Sequence, residues 1–136
     1  MKILTYPHSL LRRKTKEVEK ITDAHRAAAE QMIEIVRMER ALGLAANQLG
    51  IPYRMFVTNV GEVFINPHIL ERSGPNWVTE GCLSLPGEER KVLRYEEVFF
   101  SYSRIDGKLV GTQRNGLRAA VVQHEIDHLN GKLIID

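Results

Sequence analysis

The feature that most constrains the fold is the stretch from Leu117 to Asn130, which carries apolar residues around a helix rather than along one stripe. Asn115 and Gly116 precede it, and Gly131 stands where helices commonly stop. Leu117, Ala120 and Val121 share one face with His124 and His128, while Val122, Ile126 and Leu129 occupy another. A helix apolar on two faces is expected to be covered on both, so it belongs inside the fold. With 136 residues, the chain has material for one core and is expected to form a single domain over 1–136.

The remaining chain supplies what could surround such a helix. The opening stretch holds Ile3, Leu4, Pro7, Leu10, Leu11 and Val18 without periodicity and reads as an extended arm. From Thr22 and Asp23, both good N-cap types, to about Arg40, the residues Ala29, Met32, Ile33 and Val36 recur at helical spacing. That predicts an amphipathic helix. A small-residue segment, Ala41 to Gly50, leads to β-rich runs at Arg54 to Asn59 and Glu62 to Asn66, joined near Val60 and Gly61 as a hairpin. Two further runs, Arg90 to Ser103 and Lys108 to Gln113, flank Asp106 and Gly107, a strong tight-turn pair. The expected class is α+β, with antiparallel β-sheets packed around the central Leu117–Asn130 helix.

Composition narrows the function classes more than it names one. Nineteen Lys and Arg against seventeen Asp and Glu leave +2, too mild and dispersed for a phosphate-binding surface, so no specific nucleic-acid partner is expected. The densest basic patch, Arg12, Arg13, Lys14 and Lys16, reads first as a solvated surface. No apolar run approaches membrane-spanning length, no secretion signal is evident, and a lone cysteine forms no internal disulfide. The expected home is therefore the reducing cytoplasm.

The chemistry lies on the central helix. His124, Glu125 and His128 follow the HExxH order, which sets two imidazoles one turn apart where both could reach one metal ion. Glu125 beside them could deprotonate a water on that metal; the bland alternative is two core histidines and a surface glutamate. A catalytic site wants a third protein ligand. His8, His25 and His68 lack supporting acids or glycines, whereas Cys82 stands in Glu80-Gly81-Cys82-Leu83-Ser84-Leu85-Pro86, where Gly81 lets backbone approach closely. Taken alone, Cys82 reads as an inert core thiol at least as readily as a ligand. A third segment, Gly43-Leu44-Ala45-Ala46-Asn47-Gln48, reads alone as a helix-to-strand loop, although an amide such as Gln48 could donate to an oxyanion.

Together these segments resemble the peptide deformylase family, whose members carry an AAxQ segment, an EGCLS segment and a QHExDH helix in this order. Here they read Gly43 to Gln48, Glu80 to Ser84 and Gln123 to His128, and the arm with Tyr6, Pro7, Leu11 and Arg12 is similar too. The resemblance implies removal of the N-terminal formyl group from formylmethionyl chains, with release of formate. It implies one divalent metal held by Cys82, His124 and His128, ferrous iron in the cell, with zinc, nickel or cobalt as alternatives. Glu125 would be the general base, and Gln48 with the N–H of Leu83 would stabilise the oxyanion. Leu42, Gly43 and Gly81 would pair with the peptide backbone, and Leu117, Ala120 and Val121, with Leu42 and Leu83, would line a methionine pocket. Glu80 and Arg94 match family positions and would form an ion pair behind the site.

Two departures from the family pattern stand out. Ala41 occupies a position where a glycine is common, adding a methyl group near the expected peptide path. The sequence also runs only to Asp136, as expected of a shortened form, which would dock weakly on ribosomes beside the nascent chains it acts on. The rival readings are a metallopeptidase, which HExxH also suits, and a structural or non-catalytic metal site. The Cys82 context weighs against the first, and the lack of a second cysteine against a closed structural site.

Overall fold

A computed structural model describes residues 2–136. Two helices and five strands follow the arm: α1 at Asp23–Met38, β1 at Gly43–Ala45, β2 at Met55–Thr58, β3 at Val63–Cys82, β4 at Leu85–Ser103, β5 at Leu109–Asn115 and α2 at Gly116–Leu129. The strands form one antiparallel sheet in the order β1-β2-β3-β4-β5. The arm is irregular apart from a 3-10 turn at Ser9–Arg12 and a bridge from Lys16 to Tyr53.

Alternation along β2 explains how the sheet divides the two helices. Met55 and Val57 face one way, with Leu44 and Ile65, and pack against Met32 and Val36 of α1. Phe56 faces the other way, with Phe64, Val98 and Phe100, and meets Ala119, Val122, Ile126 and Leu129 of α2. A third cluster joins Leu11 of the arm to Leu85, Leu133 and Ile134, so the residues after α2 lie against the body of the fold. The expected α+β arrangement around a central HExxH helix is present. The helical face that carries His124 and His128 departs from expectation at its start, because Leu117 is 65% exposed and faces a cleft.

The long hairpin of β3 and β4 differs most from the sequence reading. Residues 67–82 carry no alternating apolar signal, yet they pair with β4 from His68↔Ser101 to Cys82↔Leu85, with irregularities between Ile65 and His68, Ile69 and Glu71, and Glu80 and Cys82. Cys82 thus ends a strand rather than sitting within a loop, and the turn is made by Leu83 and Ser84. The β4–β5 turn does centre on Asp106 and Gly107, where Gly107 adopts φ +89° and its N–H bonds to the Arg104 carbonyl.

Helix α1 begins where expected, with the Thr22 N–H donating to His25 Nδ1 at 2.9 Å. It ends in a Schellman turn. The Ala41 N–H reaches the Val36 carbonyl and the Arg40 N–H the Arg37 carbonyl, with Arg40 at φ +54° where glycine is the usual residue. This turn sends the chain directly into β1.

Candidate active site

Three segments meet at the floor of a cleft of about 570 Å³. The end of β3 brings Cys82, the helix α2 brings His124 and Glu125, and the 3-10 turn after β1, Ala46–Leu49, brings Gln48. His128 lies behind this floor and is 1% exposed. One donor atom from each of Cys82, His124 and His128 lies within 4.8 Å of the others. Cys82 Sγ is 3.2 Å from His128 Nε2, which is 3.1 Å from His124 Nε2.

The orientation of the first imidazole is fixed from behind. His124 Nδ1 lies 2.9 Å from Glu80 Oε1, and because a carboxylate only accepts, Nδ1 carries the proton and Nε2 turns toward Cys82 and His128. Glu80 is held by the expected partner: Arg94 donates Nε and Nη2 to its two oxygens at 2.8 and 2.7 Å, and sends Nη1 to Asp127 at 2.6 Å. Burial pushes the Glu80 carboxyl up, but the hydrogen bonds from Arg94 and His124 override it and hold the group down at about 2. Asp127 completes the network from within the helical motif, a role that a sequence pattern alone did not reveal.

Electrostatics separates the two imidazoles. Burial lowers both, yet His124 is raised to about 10 by hydrogen bonding to Cys82, by the charge of Glu125 and by its hydrogen bond to Glu80. His128, buried and facing a charged His124, is lowered to about 3. A divalent cation suits the three donors that converge within such distances, one soft sulfur and two nitrogens. The residues therefore fit a metal ion.

Glu125 is buried at 4% exposure, which removes the surface-glutamate alternative. Burial raises its carboxyl to about 7, against the pull of His124. It lies against Gly43, where a Cβ would come 2.8 Å from Glu125 Oε2 and 3.1 Å from Val121 Cγ1. Gly43 is thus required to be small by the acid it faces. Gln48 is oriented at both ends of its amide: Oε1 accepts the Ala45 N–H at 2.9 Å, and Nε2 points to Ser84 Oγ at 3.1 Å and Cys82 Sγ at 3.8 Å. Buried Ser84 is a further site residue the sequence reading left out.

The cleft walls contain the other expected residues. Leu42, Gly43, Gly81, Leu83, Leu117, Ala120 and Val121 all line it, as does Ala41. His8, His25 and His68 lie elsewhere: His8 caps the first turn, His25 caps α1, and His68 pairs with Glu17.

A sequence profile described as polypeptide deformylase matches residues 1–136. The chain belongs to the polypeptide deformylase family. A peptide deformylase of Dictyoglomus thermophilum is 43% identical over 130 residues, covering 93% of this chain and 85% of its own. Among solved structures, the Thermotoga maritima peptide deformylase superposes with a TM-score of 0.95 at 38% identity, over 99% of this chain and 95% of that one. The Plasmodium falciparum peptide deformylase, solved with an inhibitor, gives 0.95 at 40% identity over 99% and 87%. Both fold and family resemblance are thereby established for this deformylase-family chain.

Proposed function

We propose that this chain is a peptide deformylase that removes the formyl group from N-formylmethionyl polypeptides and releases formate. One observation carries the assignment of its parts: Cys82, His124 and His128 converge at the foot of a cleft that also holds Glu125 and Gln48. These three residues would hold one divalent cation, Fe²⁺ in the cell, with Zn²⁺, Ni²⁺ or Co²⁺ able to occupy the same donors. When bound, the cation supplies Lewis acidity that polarises the formyl carbonyl and acidifies a water.

The protein groups do the rest. Glu125, with its carboxyl near neutrality, takes the proton from the attacking water and delivers it to the departing amine nitrogen. Gln48 Nε2 and the Leu83 N–H donate to the oxyanion that forms at the carbonyl carbon. Glu80 holds His124 in the tautomer that turns Nε2 inward.

Strand β1 is at the end of the sheet, so its outer edge is open to an extended peptide, which Leu42, Gly43 and Gly81 would pair with as an added strand. Leu42, Leu83, Leu117, Ala120 and Val121 would receive the methionine side chain. Catalysis is assigned to a single domain spanning 1–136. A thiolate ligand suits the reducing cytoplasm, and among the described residues no helix is long and apolar enough to cross a membrane. Ribosome association is expected to be weak and salt-sensitive. Of the basic arm cluster, Arg12 is already paired with Asp136 at 2.6 Å, leaving Arg13, Lys14 and Lys16 exposed. Formate release from a formyl-Met tripeptide, with no cleavage of its acetylated counterpart or of internal peptide bonds, tests the assignment. Internal cleavage without formate would replace it with a peptidase.

A further inference from the structure

Three buried polar atoms in or beside the three-donor cluster have no hydrogen-bond partner among the described residues, Glu125 Oε1, Asn47 Oδ1 and His128 Nδ1, and the last two lie on residues that touch each other. Unpaired buried polar atoms are costly and uncommon, so two on residues already in contact call for an explanation. The contact is on the backbone: Asn47 Nδ2 donates to the His128 carbonyl at 2.6 Å. Because a carbonyl only accepts, that bond fixes which end of the amide is nitrogen and leaves the oxygen as the free acceptor.

His128 supplies the complementary group. Its Nε2 faces Cys82 Sγ and His124 Nε2. If Nε2 ligates a cation, the ring is neutral and Nδ1 must carry the proton. The orphan on His128 is then a donor and the orphan on Asn47 an acceptor.

We infer that Asn47 is a positioning residue for His128, its amide nitrogen holding the His128 carbonyl and its amide oxygen receiving the Nδ1–H through one water. This deepens the proposed ligand set and rests on it. It gives His128 what Glu80 gives His124, with a neutral amide in place of a carboxylate. It also ties the metal to the oxyanion donor, since Asn47 precedes Gln48 on the same short turn, Ala46–Leu49.

The test compares wild type, Asn47→Ala and Asn47→Asp for Co²⁺ and Zn²⁺ affinity, read by competition with a chromogenic chelator, with thermal unfolding as a check on folding. Asn47→Ala should lose about 10–100-fold in affinity, the usual range for such outer partners. Asn47→Asp keeps an acceptor oxygen for Nδ1–H but loses the Nδ2–H that holds the His128 carbonyl, so it should lose less affinity than Asn47→Ala. Unchanged affinity in Asn47→Ala overturns the inference, as does Asn47→Asp falling as far as Asn47→Ala, which would show that the acceptor oxygen does nothing for His128. Should the variants fail to fold, proton NMR of the Zn²⁺-loaded wild type decides. A slowly exchanging His128 Nδ1–H supports the bond, and one in fast exchange with water overturns it. A wild type that binds neither metal would instead overturn the ligand set, and this inference with it.

Discussion

At the residue scale, the acid and the glycine facing it make the sharpest claims. Glu125→Gln keeps the shape of a buried side chain at the cleft floor while removing the base, so metal content should stay near wild type while turnover falls by about 10²–10⁴-fold. Parallel metal analysis and formate assay check this; a near-normal rate would assign the proton to another group. Gly43→Ala adds a Cβ 2.8 Å from Glu125 Oε2 and 3.1 Å from Val121 Cγ1. The carboxylate must move, and a displacement of about 1 Å at a reacting group is worth about 10²-fold. The expected result is a fall in kcat with metal content intact. A change confined to KM would mean that the methyl obstructs only the peptide.

At the scale of elements, the turn between α1 and β1 holds Arg40 at φ +54°, a conformation that costs a side-chain-bearing residue roughly 1–2 kcal/mol. Arg40→Gly relieves it, though added freedom in the unfolded chain takes back about 0.4–1 kcal/mol. A net gain of about 0.5–1 kcal/mol is expected in urea denaturation; a loss would show that the Arg40 side chain stabilises the turn. The helices were legible in sequence because each buries a face: Met32 and Val36 of α1, and Val122, Ile126 and Leu129 of α2. Residues 67–82 were not. Most of them are exposed, and beyond Ser73 the sheet narrows to β3 and β4 alone, so pairing with β4 rather than burial specifies them, and Gly74 and Pro75 break what pattern remains. The same holds within the site. HExxH and EGCLS disclose the donors, but Asn47, Ser84 and Asp127 act through contacts between segments distant in sequence, and periodicity carries no trace of those.

At the scale of the whole molecule, Glu80 joins β3, β4 and α2 through Arg94 and His124. Its carboxyl is depressed in the fold, from 4.5 to about 2. A group shifted this way contributes stability above its unfolded pKa and loses it as pH falls toward the folded one. Metal-free protein should therefore lose stability between about pH 4.5 and about pH 2, and Glu80→Gln should flatten that part of the profile. An identical slope in the variant would assign acid sensitivity to other carboxyls. The separation of the three donors has a thermodynamic corollary. Cys82 and His128 stand 46 positions apart, so the unfolded chain holds no preformed chelate and the ion binds the native state almost exclusively. Mass action then makes the melting temperature a gauge of free metal. Each tenfold rise above the dissociation constant adds about 1.4 kcal/mol, and a metal-starved cell would hold a more easily unfolded enzyme as well as a less active one.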